Sequence, residues 1–527
     1  MERLMIGRRA LLAGGGGLLA MTGLVGRVWA APAFSDTPFT LGVAAGDPAP
    51  DGFVIWTRLA PQPLGEHGGM PPLAVVVRWE VAEDERFQRV ARSGEVLARP
   101  ELAHSVHVEV DGLKPRRPYW YRFRVDGAAD ASPAGMARTA PAAGDHPERV
   151  RLASAGCQHY QGGLFTAWRY LSQENDLDAV FHYGDYIYEG GAPAKPPVIL
   201  DAAGRPIDRR HVGGEIYSLD DYRRRYAQYK TDPDLQAAHA AAAFIVSFDD
   251  HEVDNNFAGD IDQDGTPPEF FALRRMAAMQ AWYEHMPVRR AQFPRGGRTA
   301  MYRRFDYGSL LRMHVLDTRS YRSDQLCERV GAPNCRAVDD PSATMLGAGQ
   351  EAWLAAGLRN SAGWNLLAQQ VFIMPYQRQL PDGSVQPGGT DTWSGYPEAR
   401  RRLVRTITDS GLTNVVVATG DAHIHAVGTV PLRDDEPDGP AAATEFLATS
   451  ITSGGDGSAE TEGTLAILRG SPNVSLVNAQ RGYQTFDVTR REWNTELKVL
   501  DRVQAPAGKL STLARYVVEP RRPGLHG

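Results

Sequence analysis

The sequence predicts a two-domain α/β protein, with a small β-sandwich followed by a large layered α/β domain. Three observations lead to this prediction. The 527 residues exceed what one hydrophobic core usually supports. Short alternating runs dominate residues 38–143, whereas strand-length apolar runs alternate with helical patterns over residues 148–520. The segment between them, Ala140–Gly144, has the composition of a linker.

The first 31 residues have the pattern of an export signal. Arg8 and Arg9 form a twin-arginine pair, Ala10–Val25 is apolar and glycine-rich, and Val28–Ala30 is a plausible cleavage site. The apolar run is too short and too glycine-rich for a good spanning helix, and no later run reaches roughly 18 continuous apolar residues. We therefore expect export by the twin-arginine machinery, a periplasmic or secreted location, and no transmembrane helix in the mature chain.

Charge and cysteine content narrow the function further. A formal net charge of -6 gives no basic field of the kind that binds nucleic acid without sequence preference.

Cys327 and Cys335 enclose a short loop, and an oxidising compartment favours a disulfide between them. That pairing leaves Cys157 alone, so the surroundings of Cys157 decide its role.

The first domain is predicted from short strands separated by turns. Phe53–Thr57, Ala74–Trp79 and Val106–Val110 alternate between apolar and polar residues. Tyr119–Phe123 looks like a strand of a fibronectin type III domain. Together these runs indicate a β-sandwich of about 100 residues.

Four apolar runs of the second domain have the length of buried strands, and each leads into possible metal ligands. The runs are Val150–Ala155, Asp178–Tyr183, Phe244–Phe248 and Val415–Thr419. The segments that follow them are Gly156–His159, Gly184–Tyr188, Asp249–Glu252 and Gly420–His423. Because sites in open α/β folds assemble outside the carboxyl ends of strands, we expect the four segments to converge. Further strands are predicted at Leu310–Leu316, Leu366–Phe372 and Phe446–Thr452, and helices at Leu164–Leu171, Leu219–Gln228, Phe270–His285 and Gln350–Leu358.

The first two segments carry the residues of an iron site. Asp185 is placed to bridge two cations, and Tyr188, three residues later, reaches one of them if that cation is acidic enough to deprotonate a phenol. Cys157 would add a thiolate, and this mixed donor set suits iron better than a purely hard cation. The alternative is that Cys157 and Tyr188 are packed core residues and Asp185 caps a turn.

The third segment adds a ligand and an acid. Asp250 is a second carboxylate ligand, and His251 is an imidazole suited to protonating a leaving group or stabilising developing charge. Asp254–Asn256 and Asp260 offer further oxygen atoms, which calcium and magnesium prefer. The same residues also fit a solvated loop. Asp260–Gly265 has only a superficial likeness to a calcium-binding loop, because the terminal glutamate is missing.

The fourth segment contains Asp421, His423 and His425. If this stretch is extended, alternation turns all three side chains to one face, where two or three of them can bind metal. We expect His423 to be a ligand and leave both possibilities open for His425.

At these residues the chain resembles the PhoD-like alkaline phosphatases and, more distantly, the purple acid phosphatases among the calcineurin-like metallophosphoesterases. The resemblance covers nearly the whole chain after the export signal. It is carried by the following segments: Leu41–Pro48, Ile55–Arg58, Gly184–Glu189, Asp249–Asn256, Leu346–Leu354, Trp393–Pro397 and Thr449–Ser453.

This resemblance implies a layered α/β/β/α catalytic domain with iron(III) and associated calcium. The residues that match the family's metal ligands are Cys157, Asp185, Tyr188, Asp250, Asp421 and His423. Cys157 replaces the first aspartate of the wider superfamily and Asp250 replaces its asparagine, and the ion that Asp421 serves is left open. His159 falls at the superfamily's first histidine, and we do not expect it to bind metal.

The expected reaction is hydrolysis of phosphate esters, with in-line attack by hydroxide generated at the metals, Asp250 in the metal set and His251 assisting the leaving group. One alternative on the same scaffold is phosphodiesterase or phospholipase D-type hydrolysis. An alternative of another class is a surface binding protein whose metal site is structural.

Overall fold

The computed structural model describes residue 34 and residues 36–325, 339–359 and 363–526. Its α-helices are α1 (Thr166–Leu171), α2 (Leu219–Lys230), α3 (Pro233–Ala241), α4 (Pro268–His285), α5 (Gly347–Arg359), α6 (Pro397–Asp409) and α7 (Glu462–Gly470). Its strands up to residue 250 are β1 (Val43–Ala49), β2 (Gly52–Arg58), β3 (Val75–Ala82), β4 (Val90–Ala98), β5 (Ser105–Val110), β6 (Pro118–Val125), β7 (Gly135–Arg138), β8 (Arg149–Ala155), β9 (Ala179–His182), β10 (Ile199–Leu200), β11 (Pro206–Ile207) and β12 (Ala243–Val246). The later strands are β13 (Arg303–Tyr307), β14 (Leu311–Val315), β15 (Trp364–Ala368), β16 (Gln377–Gln379), β17 (Val385–Pro387), β18 (Val415–Thr419), β19 (His425–Pro431), β20 (Ala441–Leu447), β21 (Val474–Asn478), β22 (Gly482–Thr489), β23 (Trp493–Leu500), β24 (Leu510–Glu519) and β25 (Arg522–His526). The predicted export signal (residues 1–31) and the predicted disulfide partners Cys327 and Cys335 lie outside the described residues.

Two large mixed sheets organise the chain. The ten-stranded sheet has the order β25-β24-β23-β22-β8-β9-β12-β1-β2-β5, and its strands β8, β9, β12 and β1 run parallel. The seven-stranded sheet has the order β13-β14-β15-β18-β20-β19-β21, and β14, β15, β18 and β20 run parallel. All four runs expected to end in ligands are strands, so the carboxyl ends of β8, β9, β12 and β18 are available to build a site.

The N-terminal β unit shares a sheet with the rest of the chain. Strands β4, β3, β6 and β7 form a separate four-stranded sheet. It packs against β1, β2 and β5 through a buried cluster that includes Ile55, Val77 and Tyr121. However, β1 also pairs in parallel with β12, with Ala45 opposite Ala243, so this half of the unit continues into the ten-stranded sheet. The predicted mixed α/β chain with an N-terminal β unit is confirmed.

Three buried apolar clusters hold the larger part together. One lies between the two large sheets and joins Leu152 of β8 to Leu366 of β15 and Val416 of β18. A second packs helices α1, α2 and α4 on the ten-stranded sheet, and a third packs α5 and α6 on the seven-stranded sheet. Alternate residues of one strand enter different clusters, as Leu152 and Ala153 do, which is the period-two pattern of strands buried on both faces. Within the described residues, no helix combines the length and apolar character that crossing a bilayer requires.

Helix α2 lies beside the site, and local sequence fixes where it starts. Ser218 accepts a bond from the backbone N–H of Asp221, and the Asp221 side chain accepts one from the backbone N–H of Ser218. This reciprocal capping satisfies two donors that a helix start leaves without partners. From this helix, Arg225 donates hydrogen bonds to the carbonyl oxygens of Tyr188 and Gly190 and so holds the segment after β9.

Candidate metal centre

Segments that follow four parallel strands meet at one buried place. Cys157 follows β8, Asp185 follows β9, Asp250 follows β12 and His423 follows β18. Ligand atoms of Cys157, Asp185 and His423 lie within 4.8 Å of one another, and so do those of Asp185, Asp250 and His251. Asp185 belongs to both groups, which is the position of a carboxylate that bridges two cations.

The backbone turns sharply where these strands end. Cys157, Asp185, Asp421 and His423 have φ angles of 50°, 55°, 66° and 57°, in the left-handed region that residues other than glycine rarely adopt. Such strain persists only where the surroundings enforce it, and it concentrates at functional sites. Strain at four residues of three converging segments therefore marks this cluster as the candidate functional site of the fold.

The hydroxyl of Tyr188 contacts two members of the group formed by Cys157, Asp185 and His423. The Tyr188 hydroxyl donates to Asp185 Oδ2 at 2.7 Å and lies 3.1 Å from His423 Nε2 and 2.6 Å from Ser453 Oγ. Its ring stacks on the imidazole of His251, with ring centres 4.1 Å apart. The phenol oxygen thus lies among the donor atoms of the group, where a packed core tyrosine would not place it.

The expectation that Asp421, His423 and His425 share an extended face is wrong. Asp421 and His423 have left-handed backbones, so the stretch before β19 does not alternate. His425 is buried and directed away from the group, with Nε2 3.2 Å from the carbonyl oxygen of Lys498. Asp421 joins a third acidic group with Asp249 and Asp250.

Arg319 supplies the cation of this third group. Its guanidinium has no exposed surface and donates to Asp249 Oδ1. It also lies 3.4 Å from Asp250 Oδ1, 3.3 Å from Asp421 Oδ1 and 2.8 Å from Asp391 Oδ1. One buried arginine therefore neutralises part of a charge that four carboxylates create.

His251 is held by Glu189, a residue that the sequence patterns did not single out. Glu189 Oε2 lies 2.7 Å from His251 Nδ1, and Glu189 Oε1 accepts a bond from the backbone N–H of Asn255. Burial alone would lower the pKa of His251, but the charges of Glu189, Asp250 and Asp185 outweigh it and raise that pKa well above its ordinary value. Among the described residues Nε2 of His251 has no hydrogen-bond partner, so the ring keeps one nitrogen for the site.

Two further residues brace the ligand segments. Glu252 is fully buried and accepts hydrogen bonds from the backbone N–H groups of Asp185, Tyr186 and Asp249. Ser453 donates to the carbonyl oxygen of Cys157 in addition to its contact with Tyr188. These bonds link the ends of β8, β9 and β12 directly, since each crosses from one segment to another.

The donor atoms fit a bound cation. Asp185 Oδ1 and Asp249 Oδ2 are buried without a hydrogen-bond partner, which is costly for an anionic oxygen unless a cation contacts it. Asp250 Oδ1 also lacks a hydrogen bond and has a 3.4 Å ion-pair contact with Arg319. Burial and nearby carboxylates raise the pKa of Cys157 well above its usual value, and burial raises the pKa of Asp185 to about 7. A multivalent cation reverses this tendency by stabilising the deprotonated ligands. By contrast, burial lowers the pKa of His423 to about 3, so the imidazole is neutral and free to ligate.

Some residues of the oxygen-rich run after β12 support the candidate ligands, and others lie on the surface. The backbone N–H of Asn256 donates to Asp250 Oδ2 at 2.7 Å. Asp254 forms an ion pair with Arg274. Asp260, more than half exposed, pairs with Arg275 and Arg298 and is not part of the ligand groups.

Sequence reasoning missed Arg319, Glu189, Glu252 and Asp249 as site residues. Arg319 follows β14, which was a predicted strand, so the carboxyl-end rule could have found it. Glu189 and Glu252 lie inside segments that were singled out for their neighbours. Their roles depend on contacts across the chain, such as the 62-residue separation between Glu189 and His251, which no local pattern reveals.

The fold and the buried donor cluster together define a protein with a candidate metal centre where its parallel strands end. Comparison with known proteins identifies the family. The family model described as "PhoD-like phosphatase" matches residues 152–497, and the model described as "PhoD-like phosphatase, N-terminal domain" matches residues 26–141. The chain belongs to the PhoD-like phosphatase family, and it is an enzyme of the phosphoric ester hydrolase class.

Two similar proteins support this assignment. The chain is 44% identical over 497 residues to "Alkaline phosphatase D" of Bacillus subtilis (strain 168), covering 94% of this chain and 83% of the relative. A solved structure described as "Structure of PhoD" matches with a TM-score of 0.86 and 43% identity, covering 94% of this chain and 93% of the other. The family expected from the sequence motifs is therefore confirmed.

Proposed function

We propose that the chain is an exported alkaline phosphatase that uses iron(III) and calcium to hydrolyse phosphate esters. The observation that carries this proposal is the convergence of the segments after β8, β9, β12 and β18 on one cluster of thiol, phenol, carboxylate and imidazole groups. Buried carboxylate oxygens without partners in that cluster favour bound cations over a packed polar core.

Iron(III) would be held by Cys157, Asp185, Tyr188 and His423, because sulfur, phenolate and imidazole donors suit a transition metal. Calcium would be held through the oxygens of Asp185, Asp250 and Asp421, because hard cations prefer oxygen. When bound, such ions neutralise the phosphate and lower the pKa of water, which supplies hydroxide at neutral or alkaline pH.

The chain's own residues then complete the reaction. Hydroxide adds to phosphorus while the bond from phosphorus to the ester oxygen breaks, and the departing oxygen needs a proton. His251 donates that proton from Nε2, since Nδ1 is held by Glu189 and the ring is kept protonated by the surrounding carboxylates. No covalent phosphoserine is needed, because the attacking oxygen comes from water.

Finer features of the molecule belong to the same proposal. The twin-arginine pair Arg8–Arg9 supports export to the periplasm or beyond by the twin-arginine machinery. The arrangement of the three apolar clusters supports an α/β/β/α catalytic domain, residues 148–520. The packing of β1, β2 and β5 on the four-stranded sheet supports a fibronectin type III-like sandwich, residues 38–143.

Replacing Asp185 tests the proposed function. Asp185→Asn keeps the shape and an acceptor for the Tyr188 hydroxyl but removes the charge that bridges both ligand groups. We expect turnover to fall by more than the roughly 10- to 100-fold loss that changes outside the ligand shell cause. Asp435→Asn, at an exposed ion pair with Arg433, is the matched control and should behave as the wild type. Unchanged turnover of the Asp185 variant would reject the proposal.

A further inference from the structure

Arg58 is a buried cation that is far in sequence from the residues of the candidate metal-ligand groups. It ends β2 and only 2% of its surface is exposed. Nε donates to the carbonyl oxygen of Ala103 at 2.8 Å, and Nη1 lies 2.8 Å from His285 Nε2. Among the described residues Nη2 has no hydrogen-bond partner. The two N–H groups of Nη2 therefore remain available.

No carboxylate of the described residues lies within 4.0 Å of the Arg58 guanidinium, so the charge lacks a direct counter-ion. The nearby Glu284 is instead paired with Arg223 at 2.6 Å. Burial lowers the pKa of Arg58 to about 10, although the charge of Glu284 offsets part of that effect. A buried cation without a contacting carboxylate is costly, and a bound anion would offset that cost.

Arg58 also lines a cavity of about 160 Å³ between the N-terminal unit and the start of α2. Gly68 closes the cavity near the guanidinium, since a Cβ atom there would lie only 3.2 Å from Arg58 Nη2. The walls are largely apolar and include Met70, Pro71 and Pro100. Arg223 and Arg224 also line the cavity and are paired with carboxylates of other residues. The two lining acids are largely exposed, with 91% of the Glu66 side chain and 60% of the Asp220 side chain in solvent.

These properties select one chemical class. The N–H groups of a guanidinium nitrogen donate charge-assisted hydrogen bonds to a carboxylate, whose charge is opposite to that of the arginine. Apolar walls favour a short hydrocarbon tail over a second charge. The volume is similar to cavities of about 150 Å³ that hold a benzene-sized molecule, so only a few carbon atoms fit.

We infer that this cavity is a binding site for a short-chain carboxylate, with the carboxylate on Nη2 of Arg58 and the tail against Met70 and Pro100. The site is separate from the metal cluster and requires no metal. Its position at the start of α2, the helix whose Arg225 holds the segment of Tyr188, places it beside the catalytic half of the molecule.

Isothermal titration of the metal-replete enzyme with sodium butanoate tests the inference. Butanoate should bind at one site, with a dissociation constant on the order of 1–10 mM for so small a ligand. Inorganic phosphate, 1-butanol and butylammonium should give no saturable binding in this cavity. Failure of butanoate to bind, or equally strong binding of 1-butanol, would overturn the inference. A competition in which butanoate displaces bound phosphate would also overturn it, because it would show that the two anions share one site.

Variants locate the site independently of phosphatase activity. Arg58→Met should weaken butanoate binding about tenfold or more, because it removes a charge-assisted bond pair. Met70→Phe fills the cavity and should do the same, which keeps the test decisive if the Arg58 variant does not fold. Exposed Arg295→Gln is the matched control and should bind butanoate as the wild type does. Unchanged binding in Met70→Phe, or in a folded and active Arg58→Met, would refute the assignment.

Discussion

Replacing Glu189 with glutamine tests whether His251 protonates the leaving group. The exchange keeps an oxygen that can accept from the backbone N–H of Asn255, so the loop geometry is retained. It removes the charge that lies 2.7 Å from His251 Nδ1 in a place where the two side chains are only 8% and 19% exposed. A hydrogen bond to a charged group contributes about 1.5–3 kcal/mol. If this bond is what keeps His251 protonated at an alkaline assay pH, its loss lowers the protonated fraction, and with it turnover, roughly 10- to 150-fold.

The assay compares two monoesters that differ in their need for an acid. An alkyl phosphate such as glycerol phosphate has a poor leaving group, whereas p-nitrophenyl phosphate has a good one. We expect the full loss in kcat on the alkyl ester, a much smaller loss on the nitrophenyl ester, and little change in KM. Equal losses on both esters would refute proton donation by His251 and leave Glu189 a purely structural role.

Three other perturbations have defined outcomes. Lys230, 2% exposed, has its pKa lowered by burial to about 7, so between pH 7 and 10.5 the unfolded chain binds more protons and stability rises with pH. Lys230→Met should therefore raise the free energy of unfolding below pH 7 by up to about 5 kcal/mol, and chemical denaturation should show this gain shrinking toward pH 10. Arg319→Met leaves Asp249, Asp250 and Asp421 without their cation, whereas Asp391 keeps its ion pair with Arg322. The change should cost the metal-free protein about 3–5 kcal/mol, with added calcium restoring more stability than in the wild type. Tyr188→Phe should abolish any visible phenolate-to-iron absorption of the purified enzyme, and a retained band would exclude Tyr188 as a ligand.

The strands that position the site could be predicted because their signal is local. A buried strand of a parallel sheet is a short, almost entirely apolar run, and Val150–Ala155 and Val415–Thr419 have that composition. Polar residues directly after such runs lie at one edge of a sheet. The sequence alone therefore predicts that Cys157, Asp185 and His423 lie close together, as they do in the structure.

Pairings between distant parts of the chain could not be predicted in this way. Strand β1 and strand β12 are almost 200 residues apart, and nothing in either run specifies the other as its partner. The composition of Ala140–Gly144 likewise gives no indication that β1, β2 and β5 continue into the ten-stranded sheet. Non-local pairing is decided by the whole fold and leaves no mark in a short window of sequence.

The sequence predicted which residues converge at the candidate site, but not the side chains that support them. His425 was included in an alternating face because an extended backbone was assumed, whereas Asp421 and His423 adopt left-handed angles. Arg319 was not anticipated, since a positive charge in a metal-binding cluster has no distinctive spacing. Its role follows only from the contacts with Asp249 and Asp391.

The central claim is that Cys157, Asp185, Asp250 and His423 together hold the metal ions that the reaction uses. Elemental analysis of the natively purified enzyme, compared with Asp185→Asn prepared in parallel, tests this claim most directly. We expect iron and calcium in stoichiometric amounts in the wild type and a loss of both in the variant, in proportion to the loss of turnover. An active wild-type enzyme free of both metals, or a variant that retains the full metal content and full turnover, would contradict it.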